Sequence, residues 1–356
     1  MPKIRSFELK RCTQRQQDPS WTFARATVPE LPGWTVVLTD ENGQTGLGYC
    51  HAIAAITTHG EGAEAALNYL GPRLAGRDPA DINAIMDELE VVLAGQNSAK
   101  AAIDMALHDL LARQLSVPLH VLLGGKRRET LPQGRIVSIK SPQQMAENAV
   151  KLVEQGYRTL KLKLAGDADL DAERVRSVRE AVGLEPRITL DPNQSYNAKG
   201  IIAAFRRMEK YSIALIEQPV PTADLAGLKL VTQTLPVPVE ADESAESVAA
   251  VWRIASERMA DCVNLKITKL GGIRNTLAAM RICEAGGIIC RFGAAFGPSL
   301  LQSMGAHVAA CARELPFASE LSEHTHLLDD PFDSLIVESG EIKVPSGPGC
   351  GISLLR

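Results

Sequence analysis

Three runs of this sequence share one construction: RITLDPNQ at residues 187–194, IALIEQPV at 213–220 and VPVEADES at 237–244. Each run is mainly apolar and then reaches an acidic residue, and these residues are Asp191, Glu217 and Asp242. The acidic positions are 26 and 25 residues apart, the length of one strand–helix unit. The sequence therefore predicts successive β-strands that each end in a carboxylate.

The same rhythm continues on both sides of these runs. Short apolar runs occur at 134–138, 158–163, 187–191, 213–217, 237–241, 261–265, 287–291 and 315–319. Helical patterns fill the gaps, for example at 142–155, 171–183, 245–257 and 273–285. Eight βα units predict an α/β fold, a (β/α)8 TIM-type barrel over residues 126–325. An open doubly wound sheet would usually show a G-x-G-x-x-G turn after its first strand, and this chain has none.

The residues before the barrel have a different pattern. Strands are predicted at 3–12, 34–38 and 45–51, and a helix at 99–113. We therefore expect an N-terminal α+β capping domain over residues 1–125. The last segment, 326–356, is expected to return to it.

Composition excludes several classes of protein. The formal net charge is −4 and aromatic residues make up 4% of the chain, which disfavours binding to nucleic acid. No apolar run is long enough to cross a membrane. The N-terminus turns polar before a signal-peptide core could form, so we expect a cytoplasmic protein. The seven cysteines lack CxxC spacing and are predicted to be buried thiols. We also expect a homo-oligomer.

The three acidic residues suggest a metal site. The C-terminal ends of barrel strands meet on one rim, where barrel enzymes build their active sites. Three neighbouring carboxylates repel one another, and a bound cation resolves this repulsion. An all-oxygen set without His or Cys is typical of Mg²⁺ or Mn²⁺ rather than Zn²⁺. For any one of the three residues alone, capping of the next helix is the simpler interpretation.

Lysines stand beside these carboxylates. Lys161 and Lys163 alternate with leucines in the second strand, so both are predicted to point into the barrel. Lys266 ends the sixth strand, on the opposite side. A metal-held carboxylate between two lysines suits removal of an α-proton from one face and its return on the other, through an enediolate. Lys269, three residues further on, is predicted to be solvated.

These motifs resemble the enolase superfamily, and most closely its muconate-lactonizing-enzyme subgroup, which includes dipeptide epimerases and N-acylamino acid racemases. The resemblance rests on KLK at 161–163, DPN at 191–193, IEQP at 216–219, DES at 242–244, NLK at 264–266, Gly271-Gly272 and the tail at 345–352. It implies Mg²⁺ on Asp191, Glu217 and Asp242. It also implies that Lys163 and Lys266 are the acid/base pair and that Lys161 assists electrostatically. The mandelate-racemase branch uses a seventh-strand histidine, which this chain lacks at 289–293.

The substrate is less well determined. In the family, the loop near 15–30 and the ends of the seventh and eighth strands select it. Here they offer aromatic side chains for a cation–π face, arginines as a second anchor for a dicarboxylate, and acids for an ammonium group. Dipeptide epimerases show an Asp-x-Asp pattern at the eighth strand, and its absence here argues against dipeptides. The candidate substrate-binding residues are Trp21, Phe23, Arg25, Asn193, Arg291, Glu320 and Glu323.

The leading hypothesis is a racemase or epimerase of an amino-acid-like carboxylic acid. The same site could serve a muconate-type cycloisomerase, or a dehydratase of a hydroxy acid or hydroxyproline. A phosphate-handling barrel enzyme is a weaker alternative, because Gly271-Gly272 precedes a helix and could cradle an anion. A catalytically silent scaffold is the last alternative, and the intact lysine and acidic positions argue against it.

Overall fold

Antiparallel strands and three long helices build the N-terminal part of the protein. The computed structural model describes residues 1–293 and 295–355. The strands here are β1 (Ile4–Arg11), β2 (Gln14–Gln16), β3 (Thr22–Phe23), β4 (Ala26–Thr27), β5 (Glu30–Leu31), β6 (Gly33–Asp40), β7 (Thr45–His51) and β8 (Thr130–Pro132). The helices are α1 (Gly60–Leu70), α2 (Ile82–Val92), α3 (Asn97–Gln114) and α4 (Leu119–Leu122). The long strands pair in the order β1-β6-β7, and one face of their sheet is buried with α1, α2 and α3 in a shared apolar core.

Seven parallel strands follow and curl into a barrel, in sequence order around the sheet. They are β9 (Gly134–Val137), β10 (Thr159–Lys163), β11 (Arg187–Asp191), β12 (Ile213–Glu217), β13 (Val239–Ala241), β14 (Cys262–Leu265) and β15 (Ile289–Phe292). All seven overlap the predicted runs. In β10 the leucines pack into the main core while the lysines between them face the barrel mouth, as an alternating strand requires.

The eighth predicted run closes the ring, although with less pairing than expected. The Ser319 main chain bonds to β9 and β8: Gly134 N donates to Ser319 O at 2.7 Å, and Ser319 N donates to Pro132 O at 3.0 Å. On the other side Glu320 N donates to Phe292 O at 2.8 Å. Pro316 lacks an N–H group, which shortens the possible ladder. These bonds join the last segment to both neighbours, which confirms the barrel.

Helices alternate with the barrel strands. They are α5 (Pro142–Glu154), α6 (Ala168–Val182), α7 (Ala198–Met208), α8 (Leu225–Thr234), α9 (Val248–Ser256), α10 (Ile267–Leu270), α11 (Ile273–Gly286) and α12 (Ser299–Ala310). The helices α5 to α9 begin where a short polar side chain accepts a main-chain N–H, which explains their starts. These caps are Ser141, Asp167, Asn197, Asp224 and Ser247.

The C-terminal segment runs back across the N-terminal part. Its strands are β16 (Leu327–Leu328), β17 (Val337–Glu338) and β18 (Glu341–Lys343), which pair with β2, β18 and β8 respectively. Cys350 N donates to Asp109 Oδ1 of α3 at 2.7 Å. All seven cysteines are buried and unpaired, as predicted. Among the described residues, no helix combines the length and apolarity that crossing a membrane needs.

A buried carboxylate joins the two parts of the molecule. Asp104 of α3 has no exposed surface, and its Oδ1 accepts the N–H of Ile273 at the start of α11, with a donor–acceptor distance of 2.5 Å. Gly272 precedes this contact with a φ of 132°, and a Cβ there would lie 2.4 Å from the Asp104 carboxyl carbon. Only glycine combines that backbone conformation with so close an approach.

We expect Asp104→Ala to destabilise the protein by about 1.5–3 kcal/mol, because a charge-assisted buried hydrogen bond is lost. Urea unfolding followed by circular dichroism measures the change. Asp81→Ala is the matched control, since Asp81 precedes α2 but its side chain caps nothing. Equal stability of the two variants would contradict the role given to Asp104.

Candidate active site

The three predicted metal ligands lie together on the barrel rim. Asp191 ends β11, Glu217 ends β12 and Asp242 directly follows β13, and all three are buried. Lys161 Nζ lies 3.4 Å from Asp191 Oδ2 and 3.0 Å from Glu217 Oε2. Two of the carboxylates therefore already converge on one cationic centre.

Backbone geometry at the strand ends sets the spacing of these groups. Asn193, Gln194 and Gln218 have positive φ angles of 43°, 71° and 34°. Such conformations cost about 1–3 kcal/mol each for non-glycine residues and concentrate at functional sites. Here they turn the chain away sharply after β11 and β12.

Gln218 is a site residue that the sequence reasoning missed. Its Oε1 accepts the N–H groups of Asp242 at 2.9 Å and of Ser244 at 3.0 Å. Its Nε2 donates to Val220 O and to Ser244 Oγ. The buried amide thus holds the end of β13 against the end of β12. The sequence signal that could have indicated this role is its position directly after the predicted metal ligand Glu217 and before Pro219.

The two proposed acid/base lysines lie on opposite sides of the mouth. Lys163 Nζ donates to Asp191 Oδ2 at 2.5 Å and to Asn193 Oδ1 at 2.8 Å. Lys266 Nζ donates to Asp242 Oδ2. β10 and β14 are the second and sixth elements of an eight-membered ring, so their ends face each other across it.

Lys269 is not solvated, and that prediction was wrong. Its side chain is only 15% exposed, and its Nζ lies 2.7 Å from Asp242 Oδ1. The turn of α10 brings the residue back to the rim beside Asp242, which the spacing alone did not reveal.

Charge compensation decides the protonation of these groups. Burial opposes ionisation of Glu217, but the charges of Lys161 and Arg291 outweigh it and hold its pKa well below the usual range. Burial likewise disfavours the ammonium form of Lys266, but Asp242 and Glu217 outweigh it and raise its pKa. Among the protein's own charges, Lys266 therefore stays an ammonium and is a poor base. Additional positive charge beside Asp242 is needed to lower its pKa and favour the neutral amine.

Four of the seven predicted substrate-binding residues do not line the cavity at the barrel mouth, and three of the four are buried charged residues. Arg291 is completely buried: it contacts Glu217 at 3.0 Å, Glu240 at 2.5 Å, and also Glu320. Glu323 pairs with Arg135 at 2.8 Å. Arg291, Glu320 and Glu323 are absent from the cavity lining and bind buried partners of opposite charge instead.

A cavity of about 270 Å³ opens above the rim. Phe23 and Arg25 of the N-terminal loop line it, whereas Trp21 does not. Trp21 instead packs edge-on against Phe296, with ring centroids 4.8 Å apart, and Phe296 lines the cavity. The rest of the lining includes Ile136, Lys161, Lys163, Asn193, Asp242, Glu243, Lys266 and Lys269.

We expect Trp21→Ala to change substrate preference more than Mg²⁺ affinity, because the indole positions Phe296 and not the carboxylates. Ratios of kcat/KM for two substrates, beside calorimetric Mg²⁺ titrations, measure both effects. Arg15→Ala, at an exposed ion pair of the same region, is the control. Unchanged ratios would contradict this placement.

The residues fit a hard divalent cation. Within the described ranges, no three acidic, histidine or cysteine side chains form a ready-made metal cluster. Ammonium groups lie between the carboxylates instead, and Lys161 Nζ marks a point that Asp191 and Glu217 share. The donor set is all-oxygen and buried, which matches Mg²⁺ or Mn²⁺ chemistry.

The phosphate-binding alternative loses its basis. The N-terminus of α11 after Gly271-Gly272 already receives an anion, the Asp104 carboxylate. The protein therefore uses this helix start for docking its two parts.

Two family models match the chain. Residues 7–124 match the "Mandelate racemase / muconate lactonizing enzyme, N-terminal domain", and residues 144–356 match the "Enolase C-terminal domain-like" family. Together they span nearly the whole sequence.

Similar proteins include epimerases and cycloisomerases. The L-Ala-D/L-Glu epimerase of Bacillus subtilis (strain 168) is 35% identical, covering 98% of this chain and 96% of its own. Its substrate-liganded structure has a TM-score of 0.94 at 34% identity, covering 98% of each chain. The dipeptide epimerase of Enterococcus faecalis V583, complexed with Mg and L-Leu-L-Tyr, has a TM-score of 0.95 at 30% identity, covering 99% of each. Chloromuconate cycloisomerase CbnB of Cupriavidus necator is 31% identical, covering 92% of this chain and 90% of its own.

Proposed function

The chain belongs to the mandelate racemase/muconate lactonizing enzyme family of the enolase superfamily, and from this premise we propose that it is a Mg²⁺-dependent racemase or epimerase of an amino-acid-like carboxylic acid. The substrate is a small molecule that carries a carboxylate and an α-proton. The proposal agrees with the epimerases and cycloisomerases among its relatives, all of which are isomerases.

The observation that carries the proposal is the pair of lysines across the cavity. Lys163 and Lys266 both line it, and they come from opposite strands of the ring. An α-carbon between them has one ammonium or amine group on each face. Inversion needs this arrangement, because the proton must leave on one side and return on the other.

The proposed metal ligands are Asp191, Glu217 and Asp242. A bound divalent cation would stabilise the negative charge of an enediolate and favour the neutral amine of the nearby lysines. Lys161, whose Nζ lies at the junction of Asp191 and Glu217, adds a fixed positive charge near the substrate carboxylate.

The proton steps use the two lysines in turn. One lysine, as a neutral amine, accepts the α-proton at its Nζ, and the electron pair of the C–H bond moves into the carboxylate. The opposite lysine, as an ammonium, then donates a proton from its Nζ to the other face of the carbon. Exchange with solvent resets both amines. Phe23, Ile136 and Phe296 limit the access of water to this space.

Cycloisomerisation is the second candidate, supported by Arg25. With Arg291 held by buried carboxylates, Arg25 is the arginine that lines the cavity and could bind a second carboxylate. The similarity to chloromuconate cycloisomerases supports the same reading.

The decisive experiment is solvent deuterium exchange followed by proton NMR in the presence of MgCl2. The panel holds N-acyl amino acids, hydroxyprolines, betaines, dipeptides and cis,cis-muconate, with both enantiomers of each chiral compound. We expect loss of the α-proton signal from both hands of one class. Lactone formation from muconate without such exchange would favour the cycloisomerase, and loss of water from a hydroxyproline would favour a dehydratase. Inertness toward the whole panel would contradict the proposal.

A further inference from the structure

Lys269 makes an unusually complete set of contacts at the end of β13. Its Nζ donates to Asp242 Oδ1 at 2.7 Å, to Asn264 O at 2.9 Å, and to the main-chain oxygen of Asp242. An ammonium group has three protons, so each proton has an acceptor. Two of the acceptors are atoms of Asp242, the proposed metal ligand that follows β13. The third is the main-chain oxygen of Asn264 in β14, the strand that Lys266 follows.

The two oxygens of Asp242 are divided between two lysines. Lys269 holds Oδ1, whereas Lys266 binds Oδ2. Lys269 also donates to the main-chain oxygen of Asp242, so one ammonium group restrains the rotation of this carboxylate. Lys266 lies at the mouth and lacks such main-chain bonds among its described contacts. Oδ2 is therefore the oxygen that can change partners, while Oδ1 is already committed.

We propose that Lys269 is a positioning residue that clamps Oδ1 and the main chain of Asp242 and thereby presents Oδ2 to the bound metal. The inference rests on the proposed function, since it assumes that Asp242 is a metal ligand. Lys269 takes no proton from the substrate in this role. It acts through Asp242, together with Gln218, whose Oε1 accepts the Asp242 N–H from the other side.

Electrostatics alone predicts the opposite effect of removing Lys269. A positive charge beside a metal ligand repels the incoming cation, so its loss should tighten Mg²⁺ binding. Loss of a group that orients a ligand typically weakens metal affinity by about 10- to 100-fold. The sign of the change therefore separates positioning from simple charge competition.

The test is calorimetric titration of the full-length protein with MgCl2, comparing the unchanged chain with Lys269→Met, Lys269→Arg and Lys199→Met. Lys199 is an exposed lysine of α7 and serves as the control. We expect Lys269→Met to raise the Mg²⁺ dissociation constant by about tenfold or more. Arginine keeps the charge but not the compact three-proton geometry, so Lys269→Arg should also weaken binding. Saturating MgCl2 should restore most of the α-proton exchange. The circular dichroism and urea unfolding of the metal-free variant should match those of the metal-free unchanged chain, which a merely unstable variant would not show.

Equal or tighter Mg²⁺ binding in both Lys269 variants would overturn the inference. Unchanged Mg²⁺ affinity with lost exchange would also overturn it, because Lys269 would then act at the reacting atoms. If Lys269→Met does not fold, as judged by circular dichroism, Lys269→Arg and Lys269→Gln carry the same test. Failure of the proposed metal site is distinguishable, because the unchanged chain itself would then bind no Mg²⁺. Failure of the proposed racemase activity alone would leave the Mg²⁺ affinities of all variants as expected here.

Discussion

Replacing Lys163 by alanine should abolish α-proton exchange for one enantiomer of the substrate, and Lys266→Ala should abolish it for the other. In the proposed mechanism each lysine faces one side of the α-carbon, so each should serve one hand. Positioned general acids and bases contribute about 10²–10⁴-fold, and losses of that size are expected for the affected hand. Deuterium incorporation measured by NMR, for each enantiomer with each variant, gives the result directly.

The two variants also control each other, since exchange of the hand that a lysine does not touch should survive. Lys199→Ala, on the exposed surface of α7, should leave both hands unchanged. If one lysine mainly holds charge, as in a cycloisomerase, its loss would affect both hands equally. Undiminished exchange in the double variant would remove both residues from the mechanism.

Removal of the proposed metal is expected to cause the second large loss of activity. Chelation should abolish exchange, and Glu217→Gln should reduce Mg²⁺ affinity and turnover together by about 10³-fold, because stabilisation of the enediolate by a cation contributes several kcal/mol. The amide also removes one of the charged partners of Lys161 and one of those of Arg291. Calorimetry with MgCl2 and exchange measured in chelator test both statements.

Glu180→Gln is the matched control, since Glu180 is an exposed acid on α6. Re-addition of MgCl2 or MnCl2 to the chelated protein should restore exchange, which separates metal loss from unfolding. Full exchange in excess chelator, with elemental analysis finding no retained metal, would disprove the metal role.

Most of the barrel follows from local patterns. Apolar runs one strand–helix unit apart predict all seven parallel strands, because a parallel strand buried on both faces is mainly apolar. The eighth segment is the exception: it closes the ring through a few bonds around Ser319, and Pro316 limits the ladder. The N-terminal caps of α5 to α9 can likewise be predicted from single polar residues, as at Ser141 and Asn197.

Strand–helix periodicity alone predicts the acidic rim, because one strand–helix unit returns the chain to the same edge of the barrel. Asp191, Glu217 and Asp242 therefore lie side by side. The alternation around Lys161 likewise determined which face of β10 carries charge.

Which charged groups remain available to a ligand depends on contacts between distant parts of the chain. Arg291 and Glu323 lie near the ends of predicted strands in the sequence. In the structure, both form ion pairs with buried residues of other strands. Lys269 is drawn onto Asp242 by the turn of α10. Pairing between charges depends on distances across the barrel, and strand periodicity carries no information about those distances.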